Sequence, residues 1–167
     1  MIENKKQMHD VYLSLGSNLG YKQANIELAI QHIENMIGKV VCASSLHETQ
    51  ALGFDSDNSF INAACHVQTT LSPLDVLAKT QAIEVLLGRK TKSVDLNYSD
   101  RLMDIDILFY DQLVIELTSL HIPHPRLHER LFVLSPLVEI APLLKHPVLN
   151  KNIETLLQSI ISGEYRL

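Results

Sequence analysis

Apolar residues crowd the short run Val11-Tyr12-Leu13-Ser14-Leu15, which predicts a strand, and the turn chemistry of Gly16-Ser17-Asn18-Leu19-Gly20 ends it. From Tyr21 to Met36 the period changes. Ile26, Ala29, Ile30, Ile33 and Ile37 recur at helical spacing among Gln, Glu, Asn and Lys, and Gly38 supplies a stop. Two extended runs, Val40 to His47 and Phe60 to Thr69, predict a hairpin whose connection carries Gly53, Asp55, Ser56, Asp57 and Asn58. Ser72-Pro73 opens a second helix in cap-then-proline order, with Asp75 in its first turn and Leu74, Leu77, Ile83 and Leu87 as the expected buried stripe up to Gly88. Arg89 to Arg101 has no period and reads as a mobile basic loop, whereas Leu102 to Phe109 is a strand by propensity.

The order β-α-β-β-α-β is that of a ferredoxin-like core, an α+β fold with an antiparallel sheet. A C-terminal elaboration follows: a short extended segment near Leu113 to Ile115, a proline-punctuated turn at Ile122-Pro123-His124-Pro125, then apolar segments and a helix from about Asn152 to Ile161. With no linker or repeat, 1–167 reads as one domain. The 46% apolar and 20% charged composition is globular and excludes wholesale disorder. A net charge of −5 repels a phosphate backbone at long range and argues against nucleic acid as a partner. No apolar run approaches the ~18 residues that span a bilayer, and MIENKKQMHD has no signal-peptide core, so no membrane partner is expected and the expected location is cytoplasmic. A monomer is expected. Cys42 and Cys65 lie in apolar stretches without a Cys/His ligand pattern and are expected to be buried free thiols, and the sequon Asn97-Tyr98-Ser99 is read as a chance match.

The chemistry concentrates at Asp104-Ile105-Asp106. On a strand, alternate residues share a face with Cα atoms ~6.7 Å apart, so the two carboxylates point one way while Met103, Ile105 and Ile107 point into the core. Carboxylates at that spacing raise each other's proton affinity unless a cation lies between them, and oxygen ligands of this kind suit Mg²⁺. A bare pair of this sort is more often a solvated strand face. The surrounding cations change the balance: Arg89, Lys90, Lys92 and Arg101 precede the acids and His124, Arg126 and Arg130 follow them, the arrangement expected for polyphosphate transfer. The phosphate-binding glycine motifs and the kinase H-R-D are absent, so nucleotide use falls outside those classes.

Phe60 and Asn62 share a face of the third strand, and Phe132 follows the basic cluster, so a flat heterocycle between two rings with Asn62 reading its edge is one use of these residues; plain core packing of both rings is the other. His121, His124 and His128 have spacings that converge on a helix, but Pro123 and Pro125 break it, which favours exposed or phosphate-facing imidazoles over a transition-metal site.

Taken together, Leu15-Gly16-Ser17-Asn18-Leu19-Gly20, Phe60-Ile61-Asn62-Ala63, Gln81-x-x-Glu84 before Leu87-Gly88-Arg89, Arg101-x-x-Asp104-Ile105-Asp106-Ile107-Leu108, and Ile122-Pro123-His124-Pro125 leading to Arg130-x-Phe132-Val133-Leu134-x-Pro136-Leu137 closely resemble the 6-hydroxymethyl-7,8-dihydropterin pyrophosphokinase family, from about Val11 to Pro142. The resemblance implies transfer of a pyrophosphoryl group from ATP to the pterin hydroxymethyl oxygen with release of AMP, in folate biosynthesis, with two Mg²⁺ ions. It assigns both metals to Asp104 and Asp106 and the ATP phosphates or leaving charge to Arg89, Arg101, His124 and Arg130. It places Gln81 and Glu84 on the nucleotide side and gives the pterin Phe60, Phe132 and Asn62, with Thr49 and Leu52 on a pterin-facing loop. The family's usual tryptophan before D-x-D is missing here. Tyr98 is available for its stacking role, and Lys90 or Lys92 for lost guanidinium charge, although an ammonium lacks the bidentate fork. Gln50-Ala51 stands where the family often has a proline. Beside this reading stand another D-x-D metal enzyme, a nucleotidyltransferase or phosphohydrolase, and a non-catalytic ligand-binding module.

Overall fold

A computed structural model describes residues 6–50, 58–88 and 101–164. Its elements are strand β1 (His9–Ser17), helix α1 (Lys22–Met36), strands β2 (Lys39–Ala43), β3 (His47–Thr49) and β4 (Phe60–Thr69), helix α2 (Pro73–Leu86), strands β5 (Asp104–Tyr110), β6 (Ile115–Glu116) and β7 (His121–Ile122), and helices α3 (Leu131–Ile140) and α4 (Ile153–Ile161). The main sheet is antiparallel, in the order β2-β4-β1-β5 with β3 beside β4, and β6 and β7 form a separate ribbon.

Strand alternation divides the side chains between two cores. Val11, Leu13, Leu15, Ile105 and Ile107 pack with Ile26, Ile33, Val76 and Ile83 of α1 and α2. Ala64, Leu108 and Phe109 pack on the other side with Val133, Leu134, Leu137, Ile153 and Leu156 from the last two helices. A bulge makes this possible at the end of β5. Tyr12 pairs Phe109 while Leu13 pairs Ile107, so Leu108 is the extra residue and both Leu108 and Phe109 join the α3/α4 core before Tyr110 returns to the first.

Several expectations are corrected. Gly16 and Ser17 belong to β1, not to the turn, because both pair with β4. The run Val40 to His47 is broken between Ala43 and His47 into two strands. On α2 Ile83 is buried and Leu77 and Leu87 pack against the core as expected, but Leu74 is exposed and Val76, Thr80 and Glu84 are buried; Glu84 is satisfied there by the Ile105 amide and Thr80 by the Leu77 carbonyl of its own helix. Ser72 caps α2 as expected, its side chain accepting from the Asp75 amide. Cys65 is buried, but Cys42 on the edge strand β2 is only half-buried. Helix α3 was expected only as an apolar segment. Pro136 sits inside it, and its interior position is tolerated because Val133, Leu134, Pro136 and Leu137 are buried together between the sheet and α4. Asn152 caps α4 through the Thr155 amide. The sequon at Asn97 and most of the basic loop, 89–100, lie outside the described residues, as does the glycine-bearing connection at 51–57. Among the described residues no helix is long and apolar enough to cross a membrane.

Candidate active site

Two rows of side chains cross the sheet on the α3/α4 side. Pairing aligns Asn62 of β4 with Gly16 of β1 and Asp104 of β5, and one step along it aligns Ala64, Ser14 and Asp106. The middle strand contributes only a hydrogen atom and a hydroxymethyl group, so the sheet surface is hollow between the amide on one side and the two acids on the other. A cleft of about 380 Å³ opens over this floor, walled by Thr49 and Phe60 on one side and by Arg126, Arg130 and Phe132 at the start of α3. Its size suits a small-molecule ligand. A Cβ on Gly16 would sit 3.3 Å from Asn62 Oδ1 and 3.9 Å from the Phe60 ring, so glycine here keeps the amide and the ring close to the floor.

Asn62 is buried, and its amide nitrogen donates to Thr49 Oγ1 at 2.8 Å. That bond sets the rotamer and turns Oδ1 toward Gly16 and the cleft. Arg101 reaches Asp104 with Nη1 3.0 Å from Oδ2, and its own backbone is pinned by Asn18, whose side-chain oxygen accepts from Arg101 N at 2.6 Å while Asn18 N donates to Arg101 O. Ser17 and Asn25 both donate to Leu102 O. The loop after β1 thus fixes the entry to the strand that carries the acids.

The Asp106 carboxyl is pushed up to about 7, chiefly by burial and next by the Asp104 charge, with Glu84 adding to the rise and Arg130 and Arg101 opposing it. A carboxylate pair in this condition gains from any cation that binds it. Among the described residues no third His, Cys, Asp or Glu completes a protein-only metal cage with them. Two carboxylates on one face are oxygen donors that could hold a hard cation of the kind that takes its other ligands from water and phosphates. His124 is pushed down to about 4, by burial first and then by the Arg130 charge, and its Nδ1 accepts from Arg126 N at 3.2 Å. At neutral pH it is an uncharged ring with Nε2–H left as its donor.

The cleft collects Thr49, Phe60, Asn62, Arg101, Asp104, Asp106, Arg130 and Phe132 of the residues singled out from the sequence. The guanidinium of Arg130 lies 5.7 Å from the Phe132 ring centroid, so charge and stacking surface are neighbours. Gln81 and Glu84 lie on α2 and do not line the cleft; Glu84 Oε1 instead accepts from Ile105 N at 2.9 Å, between the two acids on the outer edge of β5. Arg89, Leu52 and Tyr98 lie outside the described residues. Ser14 and Gly16 were not singled out as site residues, because small residues carry no chemical signal of their own. Only the cross-strand register shows that they make the floor.

Comparison with known proteins places the chain in a family. The family profile described as 7,8-dihydro-6-hydroxymethylpterin-pyrophosphokinase (HPPK) matches residues 12–142. A 2-amino-4-hydroxy-6-hydroxymethyldihydropteridine pyrophosphokinase of Porphyromonas gingivalis is 41% identical over 138 residues, covering 82% of this chain and 93% of the relative. One from Bacillus subtilis is 39% identical over 133 residues, 77% of this chain and 76% of the relative. The chain is also 40% identical to the folic acid synthesis protein fol1 of Pneumocystis carinii, over 98% of its own length but only 22% of that protein. Among solved structures, a Plasmodium falciparum HPPK-DHPS triple mutant superposes with a TM-score of 0.75 at 19% identity, over 99% of this chain and 47% of that one.

Proposed function

The chain belongs to the 7,8-dihydro-6-hydroxymethylpterin-pyrophosphokinase family, and from that premise we propose that its cleft transfers a pyrophosphoryl group from ATP to the hydroxymethyl oxygen of 6-hydroxymethyl-7,8-dihydropterin, forming AMP and the pterin diphosphate, a step of folate biosynthesis. The observation that carries the assignment is the pair of cross-strand rows, Asn62–Gly16–Asp104 and Ala64–Ser14–Asp106, beneath two phenylalanines and three arginines. The strand order β2-β4-β1-β5, with both crossover helices on one side, supports reading the core as ferredoxin-like.

The pterin ring lies between Phe60 and Phe132, and Asn62 Oδ1 accepts from a ring N–H. This orientation directs the hydroxymethyl group toward the acids across the floor. Arg101, Arg130 and the neutral Nε2–H of His124 donate to the triphosphate oxygens, with Arg89 from the adjoining segment. Asp104 and Asp106 would hold Mg²⁺, two ions in this reading, which when bound supply charge neutralisation for the phosphates and the attacking oxygen. The alcohol oxygen attacks the β-phosphorus and gives up its proton to solvent, the bond from that phosphorus to the α-phosphate oxygen breaks, and AMP leaves with the electron pair. No protein nucleophile is required. The two rings flanking the pterin limit the access of water, which would otherwise compete as acceptor.

Asp104→Ala and Asp106→Ala are each expected to lower turnover by about 10³-fold or more with unchanged circular dichroism. AMP release is expected only when the pterin alcohol is present. AMP formation with water alone would identify a hydrolase, and near-normal turnover of either variant would remove the acids from the mechanism.

A further inference from the structure

We propose that Glu139, near the far end of α3, is a positioning residue for pterin recognition, tying the Thr49 wall of the cleft to the helix that carries Phe132. The inference rests on the site reading given above and goes one layer behind it.

Thr49 orients the Asn62 amide, yet Thr49 sits at the end of a three-residue strand whose partner is β4. On the side before β3, the chain between β2 and β3 bends toward α3, and Glu139 receives it. One carboxylate oxygen accepts from Ser45 N at 2.8 Å, and the other accepts from Ser45 Oγ at 2.7 Å and from His47 Nε2. Ser44, one residue earlier, exchanges bonds with Ala64, so the segment is held to the sheet and to the helix at successive residues. The hydrogen bonds from the Ser45 backbone and hydroxyl, and then from His47, hold the Glu139 carboxyl below its ordinary range, which keeps it an acceptor for all three donors.

Glu139 and Phe132 are seven residues apart on one helix, about two turns; Pro136 between them removes the backbone bond to the Phe132 carbonyl, but its burial with Val133, Leu134 and Leu137 against the sheet and α4 keeps the two ends of the helix together. The carboxylate therefore acts as a spacer. It sets how far the Phe132 face of the cleft stands from the Thr49–Asn62 pair, and so the width of the slot that a flat ring enters. Arg101, Asp104 and Asp106 do not depend on this tie, whereas Arg130 caps α3 and shares its position, so nucleotide binding depends on the tie less than pterin binding does. The sequence offers no hint of it, because Glu139 looks like one exposed acid in an apolar helix.

Binding of 6-hydroxymethyl-7,8-dihydropterin, with a non-hydrolysable ATP analogue and Mg²⁺ present, is measured calorimetrically for wild type, Glu139→Gln, Ser45→Ala, Thr49→Val, the Glu139→Gln/Thr49→Val double variant and Asn62→Ala. Glu139→Gln is expected to weaken pterin binding about tenfold and raise its KM, while analogue binding and the KM for ATP stay within about twofold. The double variant is expected to lose less than the sum of the two single losses, since part of the Glu139 effect passes through Thr49 and the Asn62 amide. Ser45→Ala, which keeps the backbone donor, reads the same link if Glu139→Gln does not fold. Equal losses for pterin and nucleotide, or strict additivity with Thr49→Val, would overturn the inference. Asn62→Ala binding pterin like wild type would remove the site reading and this inference together. Weakening by Asn62→Ala, with none from Glu139→Gln or Ser45→Ala, would overturn the inference alone.

Discussion

At the scale of the residue, the cleft depends on what is missing as much as on what is charged. Gly16 lies between Asn62 and Asp104 in the cross-strand row, and the nearest atom a methyl group would meet is Asn62 Oδ1 at 3.3 Å. That oxygen cannot retreat freely, because the amide nitrogen is tied to Thr49. Gly16→Ala is therefore expected to turn or displace the amide and weaken pterin binding about tenfold, leaving ATP-analogue binding nearly unchanged. Calorimetric titration of the two ligands separately checks this, and unaltered pterin affinity would show that the amide does not read the ring. Of this the sequence displayed the amide, the rings and the acids, each a residue type with evident chemistry. It did not display the floor, since glycine and serine in a strand announce nothing until their neighbours across the sheet are known.

At the scale of the element, α2 and β5 are joined by a bond that changes the meaning of Glu84. Its carboxylate takes the Ile105 N–H, the one backbone donor lying between Asp104 and Asp106. An edge strand would otherwise present that group to the protein interior without a partner. Glu84→Ala is expected to cost about 1–3 kcal/mol in denaturant unfolding, whereas Glu84→Gln, which keeps an acceptor oxygen, recovers most of it. Equal stability of the Ala variant and wild type would mean that the Ile105 amide is satisfied in some other way. The periodicity of α2 pointed to a stripe of Leu74, Leu77, Ile83 and Leu87; Ile83 is buried and Leu77 and Leu87 pack against the first core, but Leu74 is exposed, and the polar Thr80 and Glu84 are buried in addition to Val76. Hydropathy counts polar residues as outward-facing, so a helix that buries hydrogen-bonded ones is misread by it.

At the scale of the whole molecule, two cores sandwich one sheet, and the second core is closed at its end by the loop before α4. His146 is buried there with Nδ1 accepting from Val148 N and Leu149 N, at 3.2 and 3.1 Å, and its ring edge-on to Phe109. Burial, with the nearby His128 charge, lowers its pKa from 6.5. The unfolded chain then takes up a proton below 6.5 that the native state resists, so the contribution is whole above that pH and is lost as the pH falls toward the lower native value. His124, held down to about 4, acts in the same sense. Thermal melts between pH 8 and pH 5 are expected to show wild type losing more stability on acidification than His146→Asn, whose side-chain oxygen can replace Nδ1 without titrating. Parallel losses would place the acid sensitivity elsewhere.

The β-α-β-β-α-β plan of the core, though not the split of its second strand into β2 and β3, the pairing of Asp104 with Asp106 on one face and the aromatic and amide candidates were determined by local pattern, because strand alternation and helix periodicity act over a few residues. The burial of Glu84, the place of Pro136 inside α3, the bulge at Leu108 and the carboxylate of Glu139 behind Thr49 were decided only by the tertiary structure. Each depends on a partner distant in the chain, where hydrogen-bond satisfaction and packing across layers outweigh local preference.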